Sequence, residues 1–144
     1  MKISDITNAE PEGLELGLAD GLHAGFPSPA ADYAGERIDL VREMNAHPET
    51  TFYARVSGDS MVDAGIFDHD ILVIDRSIEP RNGDFVVASI DGEFTLKEYR
   101  LDPSGDGAWL VPHNDMFKPF HVSRENAFVI WGVVTYNVHR VCMH

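Results

Sequence analysis

FVVASIDGEFTLKEYRL, residues 85–101, decides how this chain is read. Two runs rich in β-branched and aromatic residues are separated by Asp91-Gly92 alone. Both central residues of a type I′ turn need positive φ, which glycine adopts freely and aspartate tolerates, so the stretch predicts a β-hairpin. Side chains alternate across a strand, which puts Thr95, Lys97 and Tyr99 on one face of the second strand and Phe94 and Leu96 on the other. If the face carrying Lys97 is covered, its ammonium loses hydration and its pKa falls.

Strand-like runs continue on both sides of the hairpin: TFYARVS (51–57), ILVID (71–75), AWLVP (108–112) and AFVIWGVVTYNVHR (127–140). With turn signals between them, these six strands predict a mainly β, compact fold. Upstream, ERIDLVREMNA (36–46) spaces Ile38, Leu40, Val41 and Met44 close to a helical period, and Pro48 follows. This predicts a short helix leading into the domain. Residues 1–35 hold Pro11, Pro27, Pro29 and many small or acidic residues. Such a composition buries too little apolar surface to order itself, so 1–35 is read as a flexible N-terminal arm and 36–144 as the β-rich domain.

Composition narrows the function classes. At 144 residues and 44% hydrophobic content, the chain has enough material for one domain plus an extension. A net charge of -13 with no Lys/Arg cluster repels phosphate, so no direct nucleic acid binding is expected. Cys142 is the sole cysteine, which rules out an intramolecular disulfide and suits a reducing compartment. The start lacks a basic region followed by an apolar run, and no stretch is long and apolar enough to span a bilayer. The expected location is cytoplasmic.

The chemistry centres on SGDSM, residues 57–61. Following the strand that ends near Val56, Gly58 can turn the chain and Ser60 can open the next element with its hydroxyl exposed. The same cluster serves equally as turn or N-cap chemistry. A nucleophilic serine needs a base, and the seven histidines are scattered without a local pattern, while the G-x-S-x-G elbow fails at Val62. A lysine deprived of hydration is the other source of a base, and its neutral amine could accept the serine proton. The competing reading of Lys97 is a solvated strand charge paired with Glu93 or Glu98. Asp68-His69-Asp70, consecutive residues before a strand, read as a solvated turn and not as a metal site.

SGDSM, with Lys97 closing DGEFTLK 37 residues after Ser60, resembles the LexA/UmuD family of self-cleaving serine/lysine peptidases. The similarity takes in AGFPSPAADY (24–33) followed by ERIDL, and runs through GDFVVASIDGEFTLK (83–97) to the GVV at 132–134. The resemblance implies a LexA-like C-terminal peptidase domain in which Ser60 is the nucleophile and Lys97 the general base. It makes Ala24-Gly25 the bond that is cut, and it implies no cofactor and no metal. A repressor of this family would need a helix-turn-helix before the junction, and 24 largely acidic residues cannot build one. The UmuD-like branch then implies a homodimer cleaved after DNA damage, with a RecA filament on single-stranded DNA as stimulator. The trimmed form would join a UmuC-type polymerase in translesion synthesis. The 26 residues from Gly25 to Thr51 could span on the order of 85 Å, so reach alone separates neither self-cleavage nor cleavage of a partner subunit. The alternative reading is a non-catalytic β-rich interaction module that regulates a polymerase.

Overall fold

The computed structural model describes residues 1–8, 15–17, 37–59, 61–113 and 118–142, with backbone only at 15–17 and 128. The hairpin forms as its sequence dictates. Strand β6 (Phe85–Ile90) pairs antiparallel with β7 (Glu93–Leu101), with Ile90 opposite Glu93, and Asp91 and Gly92 adopt φ of 51° and 79°. These are the two left-handed residues of a type I′ turn.

Around the hairpin the described residues supply β1 (Lys2–Asn8), β2 (Glu15–Gly17), β3 (Arg37–Asp39), helix α1 (Leu40–Met44), β4 (Thr51–Ser57), β5 (Ile71–Asp75), β8 (Ala108–Val111), β9 (Phe120–Val122) and β10 (Ile130–Val138). Eight strands form one sheet in the order β1-β4-β5-β10-β6-β7-β8-β9, and an additional β1–β7 pairing closes the first six into a barrel. The pairings are antiparallel throughout. The β8–β9 pair continues past β7 as a flap, while β2 and β3 make a separate two-stranded ribbon.

Alternation divides the apolar side chains into two clusters. Ile3, Ala54, Val56, Met61, Ile66, Leu72, Ile74, Val87 and Leu96 form one, with Phe94 and Trp131 against it. Val86, Ala88, Leu110, Val122, Val129 and Val133 form the other, with Tyr99 against it. β6 is therefore buried on both faces, Val87 toward one cluster and Val86 and Ala88 toward the other, which explains its unbroken FVVASI run. Full burial of a side chain such as Leu72 or Ile74 is worth roughly 1.5–3 kcal/mol.

Several elements differ from the sequence reading, among them β9, which it did not contain. The helix expected over 36–46 is confined to Leu40–Met44, because Asp39 accepts the Arg42 amide as N-cap and the residues before it pair as β3. The last strand starts at Ile130 and not at Ala127. Arg124–Val129 form a 3-10 segment begun at Ser123, whose amide and hydroxyl both donate to Asn126 Oδ1. Within the stretch read as an arm, the two described segments are strands: Lys2–Asn8 lies along β4, and Glu15–Gly17 pairs with β3. A polar segment with little to bury is ordered here because the edge of β4 satisfies its backbone groups, which composition alone does not reveal.

Candidate functional site

Strand β4 ends at Ser57, and the chain then turns at Gly58, where φ is +106°. That value suits glycine alone, so the turn expected at this position is present. The Gly58 amide donates to Asp68 Oδ1 at 2.9 Å, fixing the turn to the loop before β5. On the far side, Met61 is 1% exposed, and its carbonyl accepts from the amides of Ala64 and Ile66 at 2.9 and 3.2 Å. The loop is thus anchored at both ends by hydrogen bonds and by a methionine in the core. Ser60, between the anchors, lies outside the described residues, as do Ala24 and Gly25.

Lys97 stands on β7 opposite Val86 of β6. Its neighbours Phe94 and Leu96 pack into the first core cluster and Tyr99 packs against the second, so the predicted alternation of faces holds. Lys97 is half-buried, and burial, by stripping water from the ammonium, pushes its pKa below the ordinary lysine value. Glu98, which with Glu93 is a candidate partner for Lys97 from sequence, binds Arg100 at 3.1 Å and His113 at 3.3 Å.

A cavity of about 560 Å³ joins these parts. Ser57, Gly58 and Asp59 line it from the turn, Thr95 and Lys97 from β7, and Met1 and Lys2 from β1. The turn that leads to Ser60 and the desolvated lysine therefore open onto one space. The cleft lies where β7 changes partners: β8 covers Glu98–Leu101 but leaves the Glu93–Lys97 edge to β1.

Two features were missed in the sequence. Asp68 tethers Gly58, a contact between residues ten apart that no local pattern signals. Asp70, read as part of a solvated turn, is 2% exposed. It accepts from the Phe67 amide and the Asn137 side chain and pairs with His139 Nδ1 at 2.6 Å, tying the end of β10 to the loop before β5. No cluster of ligating side chains suited to a metal ion occurs among the described residues. No helix among them is long and apolar enough to cross a membrane.

The site is thus a closed β-barrel with a lysine half withdrawn from water in a strand-walled cleft. The comparisons specify the family. The Peptidase S24-like family matches residues 18–135, and the chain belongs to it as a UmuD-like member of the LexA/UmuD group. It is 44% identical over 123 residues to Protein ImpA of Salmonella typhimurium, covering 85% of this chain and 82% of that one. It is 42% identical over 125 residues to Protein MucA of Escherichia coli, covering 85% and 84%. The LexA repressor of Corynebacterium jeikeium is 39% identical over 123 residues, covering 85% of this chain and 44% of the repressor.

Proposed function

We propose that this chain is a self-cleaving peptidase in which Ser60 attacks the Ala24-Gly25 bond with Lys97 as general base. The observation that carries the reading is the shared cavity: Lys97, deprived of hydration, faces the anchored turn that leads directly into Ser60. The neutral Lys97 amine takes the Ser60 hydroxyl proton as Oγ bonds to the Ala24 carbonyl carbon. Collapse of the tetrahedral intermediate breaks the Ala24–Gly25 C–N bond, and the lysine returns its proton to the departing Gly25 amine. Water, deprotonated by the same amine, then hydrolyses the Ala24 ester and frees Ser60. Ala24 and Gly25 suit the close backbone approach this needs, and Pro27 and Pro29 keep the segment that follows out of a helix.

Membership of the UmuD-like group supports the wider role: a homodimer trimmed after DNA damage, stimulated by a RecA filament on single-stranded DNA. The trimmed dimer then serves as accessory subunit of a UmuC-type polymerase in translesion synthesis, in the cytoplasm. The division of labour is that of a cleavable arm over 1–35 and a peptidase and dimerisation domain over 36–144. Incubation of the purified protein at mildly alkaline pH tests the chemistry: a fragment beginning at Gly25 is expected, and Ser60→Ala should abolish it. An intact mass after long incubation with activated RecA filament would overturn the reading in favour of an inert interaction module.

A further inference from the structure

The barrel is closed by β1, a strand with a single buried side chain. β1 runs along β4, with Lys2 opposite Ser57, Ile3 opposite Val56 and Ser4 opposite Arg55, and the register slips between Ser4 and Thr7. On its other side it meets β7 only at Lys2 opposite Thr95, with the Leu96 amide donating to the Met1 carbonyl at 3.2 Å. Ile3 is its one buried side chain, Ile6 is half-buried, and Lys2, Ser4, Asp5, Thr7 and Asn8 are exposed. Asp5 has φ of 52°, which is tolerated by aspartate but breaks the extended run. The hold comes from Ile3 in the first core cluster, from Met1 and Ile6 packed against it, and from main-chain hydrogen bonds that are each worth only about 0.5–1.5 kcal/mol net.

Without β1, two strand edges would face each other across the cavity: β4 at 52–57 and β7 at 93–97. An extended peptide lying between these edges is presented both to Lys97 and to the turn at Ser57–Asp59. The end of β1 already lies there, because Met1 and Lys2 line the same cavity. We infer that the β4–β7 groove seats one extended segment at a time, and that residues 2–8 occupy it in competition with the Ala24-Gly25 segment of the chain. This rests on the peptidase reading above. β1 is then a displaceable plug, and whatever frees it promotes cleavage.

The test fixes and loosens β1 in the full chain. In a Cys142→Ser background, Ser4→Cys with Arg55→Cys places thiols on directly paired, exposed positions where antiparallel spacing permits a disulfide. The 16 residues from Asn8 to Ala24 can span on the order of 50 Å, so the lock leaves the junction free to reach the cleft. Oxidation is expected to slow appearance of the fragment beginning at Gly25 by about tenfold or more, and dithiothreitol to restore it. Ile3→Ser, which removes the one buried anchor, is expected to speed it severalfold. A gain in rate cannot come from misfolding, and the redox pair compares one protein with itself. Equal rates in the oxidised and reduced double-cysteine protein, with the Cys142→Ser parent cleaving normally, would overturn the competition alone. No fragment from the parent would overturn the peptidase reading and this inference with it.

Discussion

The Gly58 amide and the Asp68 carboxylate, 2.9 Å apart, join the turn after β4 to the loop before β5. This bond fixes the backbone two residues before Ser60, and the Asp59 carbonyl, which accepts the Val62 amide at 3.3 Å, restrains it one residue before. A small misplacement of a reacting group costs far more rate than stability. Asp68→Ala is expected to slow self-cleavage by about tenfold to a hundredfold while lowering stability by about 1 kcal/mol. Asp68→Asn keeps an oxygen that can accept the amide and should recover most of the rate. Cleavage time courses beside urea denaturation separate the two effects, and equal slowing by both variants would refute the positioning role.

As the proposed general base, Lys97 ties activity to pH and to stability through one cause. Burial disfavours its charged form, so the neutral amine becomes abundant at lower pH than for a free lysine. The self-cleavage rate should rise with pH and level off before about 10.4, where exposed lysines titrate. Lys97→Ala and Lys97→Arg should both remove activity, the second because a guanidinium stays protonated and accepts no proton. The stability sign follows from proton counting. Between the lowered folded pKa and the ordinary unfolded one, the unfolded chain binds more protons, so folding gains stability as pH rises through that window. Lys97→Met should therefore stabilise the protein most at neutral pH and progressively less toward high pH. A stabilisation independent of pH would contradict a desolvated lysine.

The β6–β7 hairpin was legible because its turn has a local signature and its alternation meets two different cores, and Lys97's half-burial follows from that placement. β4, β5 and β8 were legible for the same reason: each is a short apolar run that the barrel buries. β1 was not, because Lys2–Asn8 lies along the backbone edge of β4 and carries a hydrophobic signal only at Ile3 and Ile6, three apart and so out of step with strand alternation. The 3-10 segment at Arg124–Val129 was absorbed into the strand prediction, since Ala127 and Val129 share the apolar character of β10 and only the Ser123–Asn126 bonds set the boundary. Asp70 looked solvated because its partners Asn137 and His139 are far along the chain. Local chemistry is readable from sequence; partners supplied by topology are not.

Gly132 tests how tightly β10 is set between β5 and β6. A β-carbon there would lie 2.6 Å from Ile74 Cγ2 and 3.5 Å from the Asp75 carbonyl oxygen. Ile74 is fully buried and β-branched, so it cannot swing aside. Gly132→Ala is expected to destabilise the fold by about 1–3 kcal/mol. Ile74→Ala removes the obstructing methyl but leaves a cavity. The double variant should therefore be less destabilised than the sum of the two, because each relieves the other's defect. Chemical denaturation of the four proteins measures this coupling, and strict additivity would show that the contact does not set the spacing.

The last prediction concerns Asp75, 3% exposed at the end of β5. Burial alone would push its pKa up. Hydrogen bonds from His47 at 2.6 Å, from the Ser77 side chain and amide at 2.7 and 2.8 Å, and from Thr50 at 2.8 Å outweigh it and hold the carboxyl at about 2, below its ordinary 3.8. These bonds join the segment before β4 to the turn after β5. A depressed carboxyl pKa stabilises the fold above the unfolded value and ceases to do so as pH falls through the folded one. The contribution should thus be complete at pH 7 and fade between about pH 4 and pH 2, and the shift corresponds to about 2 kcal/mol. Asp75→Asn should be less stable than the parent at neutral pH, with the difference shrinking across that acid window. Urea titrations of both proteins from neutral pH down through it measure the difference directly. A gap that persists unchanged to the acid limit would mean that packing at this position, and not the carboxylate's charge, supplies the stability.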